Sequence, residues 1–368
     1  MSALRNARNL APQSPGANNM NIPKIAFFDA KPYDIEFFNS VNQDFGFDIK
    51  YFTSRLTKDT VAMANGSDAV CVFVNDMLSS DVIDGLLGTS ARLIALRCAG
   101  YNNVDLRAIF GKMHVVRVPA YSPYAVAEHA VAMMLSLNRR IHKAYARTRD
   151  SNFSLNGLIG FDMRGKTAGI IGTGKIGKIV AEILKGFGMN ILLYDKFPDN
   201  SFAKLNNIKY SDIETIFNLS DVISLHCPLT PENHHLINTA AIAKMKKGVM
   251  IINTGRGKLI DTLALIDGLK TATIGYAGLD VYEEETEYFF EDFSNSVIGD
   301  DVLARLLTFP NVLITSHQAY FTREALTNIA ATTLSNIKAF FENGELANEI
   351  CYKCGAGTCM KKETGKCF

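Results

Sequence analysis

Long apolar runs are missing from this chain of 368 residues. No stretch approaches 18 consecutive hydrophobic residues, which excludes a membrane-spanning helix; the run 131–137 is short and belongs to a helix. Charge imbalance is missing too. Lys and Arg total 38 against 37 Asp and Glu, a net charge of +1, and no basic stripe is present, so nothing marks the chain as a nucleic-acid binder. Residues 1–19, MSALRNARNLAPQSPGANN, have Arg5 and Arg8 but no acid and no apolar h-region. That excludes a secretory signal and leaves an organelle-targeting leader, an added segment or an upstream start, with the fold beginning at Met20. Seven cysteines in a chain this size do not make a disulfide framework. Cys71, Cys98 and Cys227 sit in apolar or motif contexts and read as reduced thiols, which points to the cytoplasm.

What is present reads as a soluble α/β protein. Hydrophobic residues make up 48% and charged residues 20%, ordinary for a globular chain, and the length suggests two domains. Strand-like runs at 24–29, 47–52, 68–74, 93–98 and 115–118 alternate with helical segments, as in a parallel sheet with crossover helices. This first unit has no GxGxxG. A long helix is expected at 125–149, with apolar and small residues on several faces. The alternation resumes with strands at 167–171, 189–194, 222–225, 249–252, 274–280 and 312–315 and ends in a helix at 322–343.

The most informative stretch is TAGIIGTGKIGKIVAEILKGFGMNILLYDK, residues 167–196. A short apolar strand runs into Gly172-Thr173-Gly174-Lys175-Ile176-Gly177. A helix follows, with Ile176, Ile179, Val180, Ile183, Leu184 and Phe187 on one face, and then a second strand ending at Asp195. A GxGxxG between strand and helix, with an acid after the next strand, is the context of a dinucleotide site. Gly172 permits the tight turn, Gly174 lets a pyrophosphate approach, and Gly177 lets the helix pack on the strand. Asp195 accepts from the adenosine ribose hydroxyls and repels a 2′-phosphate, so the cofactor read from these residues is NAD.

Three loops at strand carboxyl ends carry an arginine, an acid and a histidine: Arg256, Glu285 and His317. Ligands of open α/β sheets bind at such ends. The planar fork of Arg256 suits a carboxylate or a keto oxygen. His317 suits proton transfer to a developing alkoxide, and Glu285 suits fixing the imidazole tautomer. Together they fit reduction of a small 2-keto acid.

VPAYSPYAVAEHA, GTGKIG, HCPLTPEN, NTGRG, GLDVYEEE and SHQAYFT resemble the D-isomer-specific 2-hydroxyacid dehydrogenases. FFEDFSNSVIGDDVLARLLTFPNVLITSHQAY resembles the fermentative branch that converts pyruvate to D-lactate. The likeness covers residues 22–350 and implies two Rossmann-like α/β domains with parallel sheets. It assigns 20–121 and 319–350 to a discontinuous substrate domain and 122–318 to an NAD-binding domain. It further implies Tyr121, Ala99, Gly100 and Arg256 as substrate contacts, with Arg256, Glu285 and His317 as the catalytic set. Lys175, Ile176, Cys227, Pro228, Asn233, Thr254, Gly255 and Asp280 join the glycines and Asp195 as cofactor contacts. A homo-oligomer through the NAD domain is implied as well. Tyr320 and Phe321 suggest a small aromatic-lined pocket and favour pyruvate. A larger 2-keto acid, or an NADH-sensing protein without catalysis, are the alternatives.

Residues 351–368 depart from the family. Cys351, Cys354, Cys359 and Cys367 could hold zinc or an iron–sulfur cluster, pair as redox or intermolecular disulfides, or lie in a flexible tail. Their spacing matches no standard pair of CxxC motifs, and no metal ligand is assigned.

Overall fold

The computed structural model describes residues 22–284, 288–342, 344–354 and 359–368. The segment 1–19 and Glu285 lie outside the described residues. Two compact units are present, one formed by Met1–Arg117 with Ala331–Phe368 and the other by Val118–Ala330.

The first unit holds a five-stranded parallel sheet in the order β2-β1-β3-β4-β5. Its strands are β1 (Lys24–Phe27), β2 (Asp48–Tyr51), β3 (Ala69–Val72), β4 (Leu93–Leu96) and β5 (His114–Arg117). β3 and β4, AVCV and LIAL, are buried at every position, as expected of inner parallel strands covered on both faces. Burial pushes the Cys71 thiol up to about 12, consistent with an inert core thiol.

The second unit holds a seven-stranded parallel sheet in the order β12-β11-β10-β9-β6-β7-β8. The strands are β6 (Thr167–Ile171), β7 (Asn190–Tyr194), β8 (Lys209–Tyr210), β9 (Val222–Leu225), β10 (Val249–Asn253), β11 (Ile274–Leu279) and β12 (Val312–Ile314). Chain order runs outward from β6 in one direction and from β9 in the other. The β6/β9 boundary is therefore the topological switch point, where such sheets open a ligand crevice beyond the strand ends. The fold is the α/β class with two parallel sheets that the sequence pattern predicts.

The helix expected at 125–149 is two helices, Pro123–Arg139 and Ile141–Arg149, broken at Arg140 with φ +49°. The first buries nine residues and packs in one core with Ala168, Ile170, Val180 and Leu184. The second buries none, so nothing in its packing requires the axis to continue. Beside the break, Asn138 accepts from the Phe161 amide and donates to its carbonyl, both at 2.8 Å. The helix Lys175–Gly186 buries Gly177, Val180, Ala181 and Leu184. Phe187, expected on its apolar face, is instead the C-cap and 40% exposed. Among the described residues, no helix is long and apolar enough to cross a membrane.

Candidate active site

The glycine loop leaves β6 at Gly172, whose φ of +93° is left-handed. A Cβ there would stand 2.4 Å from the Cys227 amide nitrogen, so the loops after β6 and β9 pass as backbone against backbone at the switch point. Gly177 is equally constrained, because its Cβ would lie 1.9 Å from the Gly172 carbonyl oxygen. Gly174 is different. It is the N-cap of Lys175–Gly186, no side chain caps that end, and nothing lies within 4 Å of where its Cβ would be. Open space, free helix N–H groups and a positive dipole end meet there, as a pyrophosphate requires. Lys175 is exposed in this first turn and Ile176 half-buried.

These roles separate by mutation. Gly177→Ala is expected to lower stability by about 1–3 kcal/mol or more through the overlap. Gly174→Ala should stay within about 1 kcal/mol of wild type, the cost of a poorer N-cap, yet weaken NADH binding at least tenfold, about 1.4 kcal/mol. Melting curves and calorimetric titration with NADH check both. Unchanged NADH affinity in Gly174→Ala would contradict a pyrophosphate at that point.

Asp195 follows β7 and is held by the same loop. Its Oδ2 accepts from the Thr173 amide at 2.6 Å and the Thr173 hydroxyl at 3.1 Å, and its Oδ1 from the Phe197 amide at 2.8 Å. A carboxylate takes about four donors, so one position remains for a ribose hydroxyl. The Thr173 hydroxyl also lies 2.8 Å from the Tyr210 hydroxyl, and turning its proton there opens a second.

Beyond β9, Asn233 knits its loop by accepting from the Thr230 amide and donating to the Pro228 carbonyl, each at 2.7 Å. Burial pushes the Cys227 thiol up to about 11, so it is a neutral wall and not a nucleophile. Desolvation holds the His226 imidazole down at about 4; it stays neutral at physiological pH and is unsuited to general acid work. Beyond β10, the Thr254 hydroxyl is buried and has no partner among the described residues. An unpaired buried hydroxyl costs about 1–3 kcal/mol, which a bound cofactor group would offset. The open N-terminus at Gly174 and this orphaned hydroxyl both fit NAD.

Arg256 lies in the loop after β10. The wholly buried Asn253 shapes that loop, accepting from the Gly255 amide at 3.0 Å and donating to the Arg256 carbonyl at 2.9 Å. A Cβ on Gly257 would fall 2.1 Å from the Tyr282 carbonyl, so this loop presses on the loop after β11. Arg256 is half-buried and donates to the Gly255 carbonyl at 2.7 Å. Among the described residues that bond uses one of its five N–H donors, leaving four for a substrate.

The loop after β12 carries His317 in the left-handed region, φ +48°. Asp280, at the end of β11, sets this geometry. Its carbonyl accepts from the His317 amide at 2.8 Å. Its carboxylate accepts from the Thr315 hydroxyl at 2.6 Å and from the Gln318 and Ala319 amides at 2.9 Å. Asp280 has no exposed surface, and its carboxylate anchors the His317 loop. His129, which sequence reading passed over, lies 3.1 Å from the Thr315 hydroxyl and 3.5 Å from Asp280.

Adjacent strands β10, β11 and β12 thus deliver Arg256, Asp280 and His317 to one end of one sheet. Tyr121 joins them from the start of the Pro123–Arg139 helix. Its ring meets Tyr320 edge-on at 5.7 Å, and its carbonyl accepts from Asn328 at 2.8 Å. In the acidic run, the Glu283 carboxylate accepts from the Thr262 amide and hydroxyl and meets His235 at 2.6 Å, a structural knot. Glu284 is exposed near Lys258. In the first unit, Ala99 and Gly100 follow β4; the Ala99 carbonyl accepts from Arg117 at 2.6 Å and the Gly100 carbonyl from the Cys98 thiol at 3.3 Å.

The family profile described as D-isomer specific 2-hydroxyacid dehydrogenase, NAD binding domain, matches residues 131–319. The D-lactate dehydrogenase of Escherichia coli K12 is 55% identical over 329 residues, covering 89% of this chain and 99% of that protein. The solved apo-structure of an Escherichia coli D-lactate dehydrogenase superposes with a TM-score of 0.83 at 52% identity, over 89% of this chain and 99% of the other. The pyruvate reductase of Chlamydomonas reinhardtii superposes with a TM-score of 0.86 at 42% identity, over 89% and 98%.

Proposed function

The chain belongs to the D-isomer specific 2-hydroxyacid dehydrogenases, and on that basis we propose that it interconverts pyruvate and D-lactate with NADH and NAD. The observation that carries this reading is the 55% identity to a D-lactate dehydrogenase along nearly its whole length. Arg256 after β10 and His317 after β12, at one end of the sheet that also carries the glycine loop, support it.

Bound NADH supplies the hydride that the keto carbon receives. Arg256 grips the substrate carboxylate through its fork, which a point charge cannot copy. His317 gives a proton to the keto oxygen as the carbon is reduced and takes it back in the reverse direction. Glu285, which follows β11 in the sequence, is assigned as the acid that keeps the imidazole in the donating form. Tyr121, Ala99 and Gly100 complete the substrate contacts, and Cys227, Pro228, Asn233, Thr254, Gly255 and Asp280 the cofactor contacts. The same reading makes the protein a cytoplasmic homo-oligomer associating through its NAD-binding unit.

NADH oxidation with pyruvate and a panel of larger 2-keto acids tests the proposal. The expected result is that kcat/KM is highest for pyruvate. A higher value for a bulky 2-keto acid would reassign the substrate, and no turnover with any of them would favour a binding role.

A further inference from the structure

The dehydrogenase site leaves the end of the chain unexplained. We propose that Cys351, Cys354, Cys359 and Cys367 form a mononuclear, structural tetrathiolate zinc site that fastens the C-terminal segment to the edge of the first unit's sheet.

The four sulfur atoms all lie within 4.8 Å of one another. Three of the separations are 3.7 Å (Cys351–Cys354), 3.9 Å (Cys351–Cys359) and 3.6 Å (Cys359–Cys367). Zinc–sulfur bonds of about 2.3 Å in a tetrahedron set the sulfurs about 3.8 Å apart. A disulfide would need sulfurs about 2.05 Å apart, and all four cysteines are free. A cluster of several irons and sulfides would push its thiolates wider than this cage. The sulfurs therefore surround room for one ion, and four-sulfur tetrahedral sites select zinc or iron.

The spacing that matched no standard pattern is reconciled by the fold. Cys351 and Cys354 form a tight turn in which the Cys354 amide donates to the Cys351 carbonyl at 3.1 Å and the Cys351 amide to the Cys354 sulfur at 3.2 Å. The short helix Lys361–Thr364 ends at Gly365, φ +77°, which turns the chain back so that Cys367 rejoins Cys359. The long interval between Cys359 and Cys367 is a helix and a reversal, not a slack loop. Cys351 and Cys367 are buried. Ligation is a simple proton balance: Zn²⁺ displaces one proton from each of four thiols, four Zn–S bonds form, and no electrons move. The product carries two net negative charges among Lys353, Lys361, Lys362 and Lys366.

Fastening this segment matters because β5 is an edge strand. The Ile350 amide donates to the Val115 carbonyl at 2.8 Å and the Arg117 amide to the Asn348 carbonyl at 3.1 Å. The buried Glu349 accepts from the Cys367 amide and meets His114, each at 2.5 Å. Phe368 stacks on His114 with ring centroids 4.5 Å apart, and Phe110 meets both Tyr352 and Phe368 edge-on. The segment covers backbone groups that an edge otherwise leaves open to pairing with another chain.

The full chain, purified under reducing conditions without added metal, is measured for metal by elemental analysis, beside a Cys354→Ser/Cys359→Ser variant that changes the two less buried ligands. Apo-protein is separately titrated with cobalt(II). The expected results are about one zinc per chain, at least a tenfold loss in the variant with pyruvate reduction retained, and sulfur-to-cobalt charge-transfer absorption with intense tetrahedral bands in wild type. The cobalt spectrum decides the matter even if the variant does not fold. Metal-free protein with no such spectrum, iron in place of zinc, disulfides among these cysteines, or full zinc retention in the variant would each overturn the proposal.

Discussion

Replacing His317 with asparagine is expected to lower kcat for pyruvate reduction by about 10²–10⁴-fold, the usual worth of a positioned general acid, with NADH affinity unchanged. The choice of asparagine follows from the backbone. At φ +48° asparagine is among the side chains that tolerate the left-handed region best, so the loop keeps its shape when the imidazole is lost. That shape depends on main-chain groups and Asp280: the His317 amide donates to the Asp280 carbonyl, and the Gln318 and Ala319 amides donate to the Asp280 carboxylate. None of these bonds uses the imidazole. Single-turnover kinetics with NADH and pyruvate, set beside fluorescence titration of NADH, separate the outcomes. Near wild-type turnover would remove His317 from proton transfer, and joint loss of turnover and NADH binding would mean that the loop had collapsed.

Arg256→Lys is expected to reduce kcat/KM for pyruvate roughly 10- to 200-fold, equivalent to one hydrogen bond to a charged group at about 1.5–3 kcal/mol. The charge survives this change; the fork does not. The loop should persist, because Asn253 holds the Gly255 amide and the Arg256 carbonyl through backbone groups alone. The guanidinium's only contact among the described residues is the Gly255 carbonyl. NADH affinity should accordingly stay near wild type while pyruvate saturation weakens. Unaltered kcat/KM in steady-state assays would show that Arg256 does not grip the carboxylate.

Much of this was legible in the residues. Inner parallel strands such as LIAL and VMIIN announce themselves as short, wholly apolar runs, because both faces are covered. The glycine loop is legible for a steric reason: Gly172 and Gly177 stand where no side chain fits. The break at Arg140 left no mark, since a left-handed residue other than glycine has no sequence signature and apolar residues continue on both sides. Asp280 was legible only through its position after a strand, which gives no sign that its carboxylate also holds the His317 loop. Glu283 in the run Glu283-Glu284-Glu285 is likewise indistinguishable from its neighbours until His235 and Thr262 are seen on its carboxylate. The tail is the clearest limit of spacing arguments. Cys359 and Cys367 look mismatched along the chain, yet a helix and a glycine reversal bring their sulfurs to 3.6 Å.

The proposed roles of the Arg256 and His317 loops beside bound NADH amount to D-specific reduction of pyruvate. Its most direct test is the configuration of the product. Purified protein is given NADH and pyruvate, and the lactate is resolved on a chiral column. The expected product is D-lactate in amounts equal to the NADH consumed. L-lactate, a racemate, or NADH consumption without lactate would contradict it.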